Sequence, residues 1–90
     1  MNTFYQQLGL RIRRERNALG FTQQELCDVT GLKRPTLVSI ETGTGQVRVE
    51  VLARLAWALG VDMVDLVPVV TSESQPMEIE AIRAENGASA

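Results

Sequence analysis

Two segments with helical character lie between residues 21 and 43 of this 90-residue chain, and a single glycine separates them. Thr22 and Glu25 have the spacing of a capping box, in which each side chain accepts a hydrogen bond from the backbone N–H of the other. Gly31 stands where a helix needs a left-handed residue in order to end. Pro35 fits the first turn of a second helix, because that turn has no N–H bond for proline to remove. The pattern predicts two short helices joined by a tight turn.

Apolar residues in both segments recur at helical spacing, with Leu26 and Val29 in the first and Leu37 and Ile40 in the second. We expect Leu37 and Ile40 to face the core. A helix of about eight residues, a glycine turn and a second helix together form the helix-turn-helix motif. The second helix of this motif can lie in the major groove of DNA.

The rest of the sequence predicts three further helices around this pair. The first covers about residues 3–19, the fourth covers about 49–59, and a short fifth begins at Asp62 and ends before Pro68. The residues expected to face the core are Phe4, Leu8, Ile12 and Leu19 in the first, Val49, Leu52, Leu55, Ala56 and Leu59 in the fourth, and Met63 and Leu66 in the fifth. We therefore expect an all-α fold, a compact five-helix bundle over residues 1–67.

The composition changes at residue 68, where an acidic tail begins. Residues 68–90 contain four glutamates and a single arginine, Arg83. We expect this tail to be flexible and partly disordered, with a possible short strand at residues 69–71. Two interpretations stay open: a solvated segment without a role, or a segment that becomes ordered against a partner.

The net charge of −2 is unusual for a protein that binds nucleic acid, but the charges are unevenly placed. Residues 1–67 contain eight lysines and arginines against seven acids, so the acidic balance belongs to the tail. A net charge of +1 is still modest for a nucleic-acid-binding domain.

Composition also makes several classes of protein improbable. The chain has no histidine and one cysteine, so we expect no metal site, no cofactor and no internal disulfide, and a cytoplasmic location. No apolar run approaches the roughly 18 residues of a membrane span, and the polar start is unlike a signal peptide. A glycine-rich phosphate loop is also missing, and we do not expect an enzyme.

Motifs spread over three quarters of the chain resemble the Cro and lambda-repressor type of helix-turn-helix protein, also called the Xre family. The matching pieces are Arg13–Arg14–Glu15–Arg16, Gly20–Phe21–Thr22–Gln23–Gln24–Glu25–Leu26, Gly31, Ile40–Glu41, Gly43, Leu55–Ala56 and Ala58–Leu59–Gly60–Val61. The resemblance implies a five-helix bundle that binds operator DNA as a symmetric dimer.

The resemblance also implies a structural role for Arg16 and Glu41, which match a partly buried ion pair between the first and third helices. Three positions depart from the family pattern. Cys27 replaces a usual alanine, and we interpret it as a packing residue rather than a redox sensor. Thr30 replaces an aliphatic residue of the core, and Pro35 removes one possible contact with a base.

Four residues of the motif are expected to contact DNA directly. Gln23 begins the second helix, where free N–H groups favour a phosphate, although it could be an ordinary surface glutamine. Arg34 can form two hydrogen bonds with guanine, and Lys33 is expected to bind phosphate. Val38 should project from the same helix, where it packs on a thymine methyl group or contacts a protein.

Hydroxyl groups and the loop before the fourth helix supply further candidates. Thr36 and Ser39 could donate to bases or contact a thymine methyl group. Thr44, Gln46 and Arg48 could bind the DNA backbone. The alternative for the residues of the third helix is a solvated helix face.

Trp57 is the residue outside the motif that most suggests an interface. The apolar stripe of the fourth helix lies on the side of the helix away from Trp57, so the indole should face outward. Exposed tryptophan is enriched at binding surfaces. The preferred hypothesis is a homodimer that forms through this face, with Val69 and Val70 pairing as strands. Binding of another protein is the second hypothesis. Packing against the fifth helix or the tail is the alternative. Val51, Arg54 and Ala58 flank the same surface.

The sequence therefore predicts a homodimeric regulator of transcription, an autorepressor that reads an operator in double-stranded DNA with its third helix. Two alternatives stay open. One is an antitoxin that represses its own operon and uses the tail to neutralise a toxin. The other is an antiactivator whose helix-turn-helix binds a protein instead of DNA.

Overall fold

The computed structural model describes residues 3–69, which form five α-helices and no strand. The helices are α1 (Phe4–Ala18), α2 (Gln23–Thr30), α3 (Arg34–Thr42), α4 (Val49–Leu59) and α5 (Met63–Leu66). The prediction of an all-α five-helix bundle is confirmed. Val69 is in no regular element, and the rest of the predicted strand and tail lies outside the described residues.

Local capping signals set the starts of α1 and α2. The Thr22 hydroxyl accepts a hydrogen bond from the N–H of Glu25, and the Glu25 carboxylate accepts one from the N–H of Thr22, each at 3.0 Å. Thr3 and Gln6 form the same arrangement at α1. Gly31 ends α2 with a φ of 76°, in the left-handed region that favours glycine. The tight turn predicted between α2 and α3 is therefore present.

The core lies between the five helices, where α1 packs on α3 and α4 packs on α2. Its fully buried side chains are Leu8, Ile12, Leu26, Leu37, Leu55 and Leu66. Burying each of them stabilises the fold by about 1.5–3 kcal/mol relative to leaving it in water. Cys27 is buried among them, as its interpretation as a packing residue requires, and burial raises the pKa of its thiol. Thr30 is also buried, and its hydroxyl donates to the Leu26 carbonyl at 2.8 Å.

Three residues predicted to face the core are exposed instead, and each lies at the end of a helix. Phe4 is the first residue of α1, where its ring makes an edge-to-face contact with Tyr5. Leu19 follows the last turn of α1 and is 53% exposed. Val49 begins α4 and is 72% exposed. Helical spacing places them on the correct stripe, but none of the described residues 3–69 covers them. Val29 of α2 is exposed as well.

Gly9 allows α1 to cross α3 with their backbones in close contact. A Cβ atom at residue 9 would lie 2.6 Å from the carbonyl oxygen of Glu41 and still closer to that of Ile40. At the end of α3, Gly43 packs in the same way against the backbone of Gln6. Small residues at these two points fix the position of α3 relative to α1.

A side-chain hydrogen bond joins α1 to the end of α5: Arg11 Nη1 donates to the carbonyl oxygen of Val67, the C-cap residue of α5, at 3.1 Å. None of the helices between residues 3 and 69 combines the length and the apolar character needed to cross a membrane.

Candidate nucleic-acid interface

The α3 helix has one covered side and one open side. Leu37, Ile40 and Glu41 face α1 and α2 and are buried. The opposite side, which we call the outer face of α3, is not covered by any part of the described chain. Arg34, Pro35, Thr36, Val38 and Thr42 are its exposed residues.

A buried ion pair holds α3 against α1. Arg16 Nε donates to Glu41 Oε2 at 2.7 Å, and Arg16 Nη2 donates to Glu41 Oε1 at 3.0 Å. The two side chains are only 10% and 3% exposed. The remaining terminal nitrogen, Nη1, donates to the carbonyl oxygen of Phe21 at 2.8 Å. Hydrogen bonding to Glu41 raises the pKa of Arg16. The ion pair that the family resemblance implied is therefore present, and it also fixes the turn before α2.

Gln23 belongs to this network. Its Nε2 donates to Glu41 Oε1 at 3.2 Å, and its side chain is half-buried. Glu41 thereby orients the first residue of α2, whose amide keeps one N–H and its oxygen for another partner. The position at the start of α2 agrees with the prediction, whereas the link to Glu41 could not be read from the sequence because 18 positions separate the two residues.

A shallow depression opens beside this network, at the N-terminal end of α2. Its lining residues are Arg13, Arg16, Thr22, Gln23, Gln24, Arg34, Glu41 and Thr42. The exposed guanidinium groups of Arg13 and Arg34 and the free N–H groups at the start of α2 suit an anion such as a phosphate. The sequence places Arg13 in the first helix but not beside Arg34, because the proximity of the two residues depends on how α1 crosses α3.

Hydroxyl groups at the other end of α3 bond to one another or to the backbone. Ser39 Oγ and Thr44 Oγ1 share a hydrogen bond of 2.8 Å. Thr42 Oγ1 donates to the carbonyl oxygen of Val38 at 2.9 Å. Ser39 and Thr44 were both predicted to contact DNA. In the structure their hydroxyl groups form a hydrogen bond with each other.

The remaining predicted DNA contacts lie at the starts of α3 and α4. Lys33 and Arg48 are the N-cap residues of these two helices, and neither side chain makes a capping hydrogen bond. Both are exposed. Thr36 and Arg48 also line a second depression, between α3 and the start of α4, with Gln46 at the same surface. All three can therefore approach a ligand that lies along α3.

Trp57 lies on the outer side of α4 and is 74% exposed. Arg54 and Val69 are exposed too, and the Arg54 guanidinium lies 3.6 Å from the Glu50 carboxylate. Val51 and Ala58 are partly buried and pack against the core. The predicted interface residues thus divide into an exposed group and a partly buried group. Val70 lies outside the part of the chain that is described.

Comparison with known proteins agrees with this geometry. A family model described as helix-turn-helix matches residues 12–66 of the chain. The chain belongs to the helix-turn-helix family. The predicted resemblance to the Cro and lambda-repressor type is thereby confirmed. None of the curated proteins matches the sequence of this helix-turn-helix chain.

Solved structures of helix-turn-helix proteins are similar over most of the domain. The restriction-modification controller protein C.AhdI from Aeromonas hydrophila is 31% identical, with 69% of this chain and 94% of that chain covered and a TM-score of 0.67. The clp gene regulator ClgR from C. glutamicum is 29% identical, with 73% and 86% covered and a TM-score of 0.69. The S. venezulae BldD DNA-binding domain is 30% identical, with 72% and 97% covered and a TM-score of 0.65.

Within residues 3–69, no three acidic or cysteine side chains come close enough together to hold a metal ion. The only cysteine, Cys27, is a buried residue of α2. The exposed residues of the outer face of α3 offer hydrogen bonding, positive charge and apolar contact.

Proposed function

We propose that this protein is a sequence-specific, DNA-binding regulator of transcription that reads the major groove with α3. The observation that carries the proposal is the uncovered outer face of α3, with Lys33 and Arg34 at the end of the helix that approaches base edges in this motif. Family membership supports it, because C.AhdI is named a controller protein, ClgR a gene regulator and BldD a DNA-binding protein. The same relatives support the expectation that the protein is not an enzyme.

Each basic or polar group would have its own task. Arg34 would form two hydrogen bonds with the O6 and N7 atoms of a guanine, which supplies base specificity. Gln23 would donate its remaining N–H to a phosphate beside Arg13, at the depression next to the start of α2. Lys33 and Arg48 would bind phosphates along the groove. Phosphate contacts fix the position of the domain on DNA, and the base contact selects the site.

Replacing Arg34 with alanine should lower affinity for the preferred duplex by roughly 5- to 150-fold, the range of one two-hydrogen-bond contact with guanine. The preferred duplex is obtained by selecting from a random pool with the wild-type protein. Affinity is then measured by fluorescence anisotropy for this duplex and for a scrambled one, at two salt concentrations. The Arg34 variant should also lose its preference at a single base pair.

Two further variants make this test specific. Arg83→Ala removes the same charge from the C-terminal tail and should leave binding unchanged. Lys33→Ala should weaken binding to both duplexes alike and reduce the salt dependence, as loss of one phosphate contact does. Unchanged selection by Arg34→Ala would exclude Arg34 as the reading residue. Failure to select any duplex would instead favour the antiactivator alternative, with a protein on α3.

We further propose that the protein acts as a homodimer through the Trp57 face of α4. Trp57, Val64 and Val69 are each about three-quarters exposed, an unusual amount of apolar surface for a small domain. Tryptophan is enriched among the residues that carry most of the binding energy at protein interfaces. A twofold dimer would double the phosphate contacts and would require a palindromic operator. Regulation as an autorepressor belongs to the same proposal.

Trp57→Ala should weaken the dimer by roughly 30-fold or more, as expected for a hot-spot residue worth about 2 kcal/mol or more. Sedimentation equilibrium over a range of protein concentrations measures this change. Val49→Ala is the matched control, because it shortens an equally exposed apolar side chain at the opposite end of α4. Equal dimerisation constants for wild type and Trp57→Ala would refute the interface.

A further inference from the structure

The middle of the outer face of α3 presents apolar atoms. Pro35 has no N–H and exposes its ring in the first turn of the helix. Val38, one turn before the end of α3, is 39% exposed. The two side chains lie on the same side of the helix because residues three apart are neighbours on a helical surface. We call Pro35 and Val38 the apolar ridge of α3.

Two hydroxyl groups next to this ridge already have hydrogen-bond partners. Thr42 Oγ1 donates to the carbonyl oxygen of Val38, and Ser39 Oγ shares its hydrogen bond with Thr44 Oγ1. A base edge that approaches the ridge would therefore meet few free donors or acceptors. Covering a polar edge without a replacement hydrogen bond is unfavourable, by about 1–3 kcal/mol for each group. The ridge consequently disfavours polar base edges.

The apolar group that a base edge presents in the major groove is the 5-methyl group of a pyrimidine. Thymine carries it, and so does 5-methylcytosine. A methyl group packed on Pro35 and Val38 removes apolar surface from water without leaving any polar atom unpaired. The positive charges of Lys33 and Arg34 at the start of α3 make DNA the fitting occupant of this face rather than an apolar protein surface.

The spacing of the helix fixes where this methyl group would lie. Val38 follows Arg34 by four residues, which is about 6 Å along α3. Stacked bases are about 3.4 Å apart. If Arg34 contacts a guanine and α3 runs along the groove, the methyl group on Val38 belongs to a base pair about two steps away.

We propose that α3 selects its operator half-site through the 5-methyl group of a pyrimidine, which packs on the apolar ridge about two base pairs from the guanine bound by Arg34. This inference rests on the proposed function, because it requires α3 to lie in the major groove of DNA. Specificity then arises from the pair of hydrogen bonds that Arg34 forms with guanine and from one apolar contact. Val38 is the residue that determines the apolar contact.

Substituting deoxyuridine for thymidine tests this contact, because uracil lacks only the methyl group and keeps the same base pairing. Each thymidine of the duplex selected by the wild-type protein is replaced in turn, and affinity is measured by anisotropy. We expect a roughly fourfold loss at one position in each half-site, the effect of burying one methyl group. The loss should be clearly smaller in Val38→Ala, because only Pro35 of the apolar ridge would then contact the methyl group.

Val29→Ala is the matched control, since it removes the same atoms from an exposed valine of α2. This variant should discriminate between thymidine and deoxyuridine as the wild type does. Equal affinity of the wild-type protein for all duplexes would overturn methyl recognition while leaving DNA binding intact. Full discrimination by Val38→Ala would also overturn it, because the methyl group would then contact another residue. Failure to select any duplex would refute the proposed function itself, and the inference with it.

A third duplex distinguishes the two sources of the methyl group. At the sensitive position, the thymine–adenine pair is replaced by a 5-methylcytosine–guanine pair and, as control, by an unmethylated cytosine–guanine pair. Tighter binding of the methylated cytosine duplex would support recognition of the methyl group in either base. Equal, weak binding of both cytosine duplexes, with the deoxyuridine effect present, would support thymine alone.

Discussion

Gly9→Ala is expected to destabilise the domain by about 3 kcal/mol, a large effect for the addition of a single methyl group. Alanine normally favours a helix over glycine by about 1 kcal/mol, so the expected sign is opposite to that of helix propensity. The reason is that the new Cβ would meet the backbone carbonyl oxygens of Ile40 and Glu41, with 2.6 Å to the latter. Backbone atoms cannot rotate away, so α1 would have to move off α3. Urea unfolding followed by far-UV circular dichroism measures the loss.

Gly45→Ala provides the comparison for this experiment. A Cβ at residue 45 would have a single neighbour within 4 Å, Ser39 Oγ at 3.8 Å. The unfolding midpoint of Gly45→Ala should therefore lie close to that of the wild type. An equally small change for Gly9→Ala would mean that α1 and α3 are farther apart than the structure shows.

Glu41→Ala should destabilise the domain by about 3–5 kcal/mol, because it leaves the buried guanidinium of Arg16 without its partner. Glu50→Ala removes the same charge from the exposed pair with Arg54 and should cost only about 0.3–0.5 kcal/mol. Thermal unfolding of the two variants under the same conditions measures the difference. Similar losses for both would show that water reaches the Arg16–Glu41 pair in solution.

A double variant separates the two roles of this pair. Arg16→Met with Glu41→Leu replaces both charges by apolar side chains, which is often neutral or stabilising for a buried ion pair. Stability should therefore recover largely. Gln23 would lose its hydrogen-bond partner, however, so affinity for DNA should remain lower than in the wild type. Full recovery of both properties would mean that Glu41 does not position Gln23.

Much of the fold could be predicted because its signals are local. Thr22 and Glu25 lie three residues apart, and Gly31 needs only its own positive φ to end α2. The buried stripe of α4 likewise follows from helical spacing. Val49 was predicted wrongly because spacing indicates the side of a helix and not how far its neighbours extend. A core position at the end of a helix depends on what covers it, and that is decided by tertiary structure.

The candidate site was harder to predict, because its details depend on contacts between distant residues. Lys33 and Arg34 lie at the exposed start of α3, as their place in the motif suggested. The hydrogen bond from Gln23 to Glu41 and the proximity of Arg13 to Arg34 arise only after α1 and α2 pack on α3. A glycine within a helix, such as Gly9, ordinarily lowers the stability of that helix. The reason for glycine at this position is visible only in the close crossing of α1 with α3.

The network of Arg16, Glu41 and Gln23 lies on the buried side of α3, whereas Arg34, Pro35 and Val38 lie on its open side. Substitutions on the open side leave every hydrogen bond of the network in place. Binding preference can therefore drift or be redesigned without a search for compensating changes in the scaffold. A duplicated copy of such a gene could acquire a new operator by changing two or three side chains, and the copies would remain equally stable while they ceased to compete.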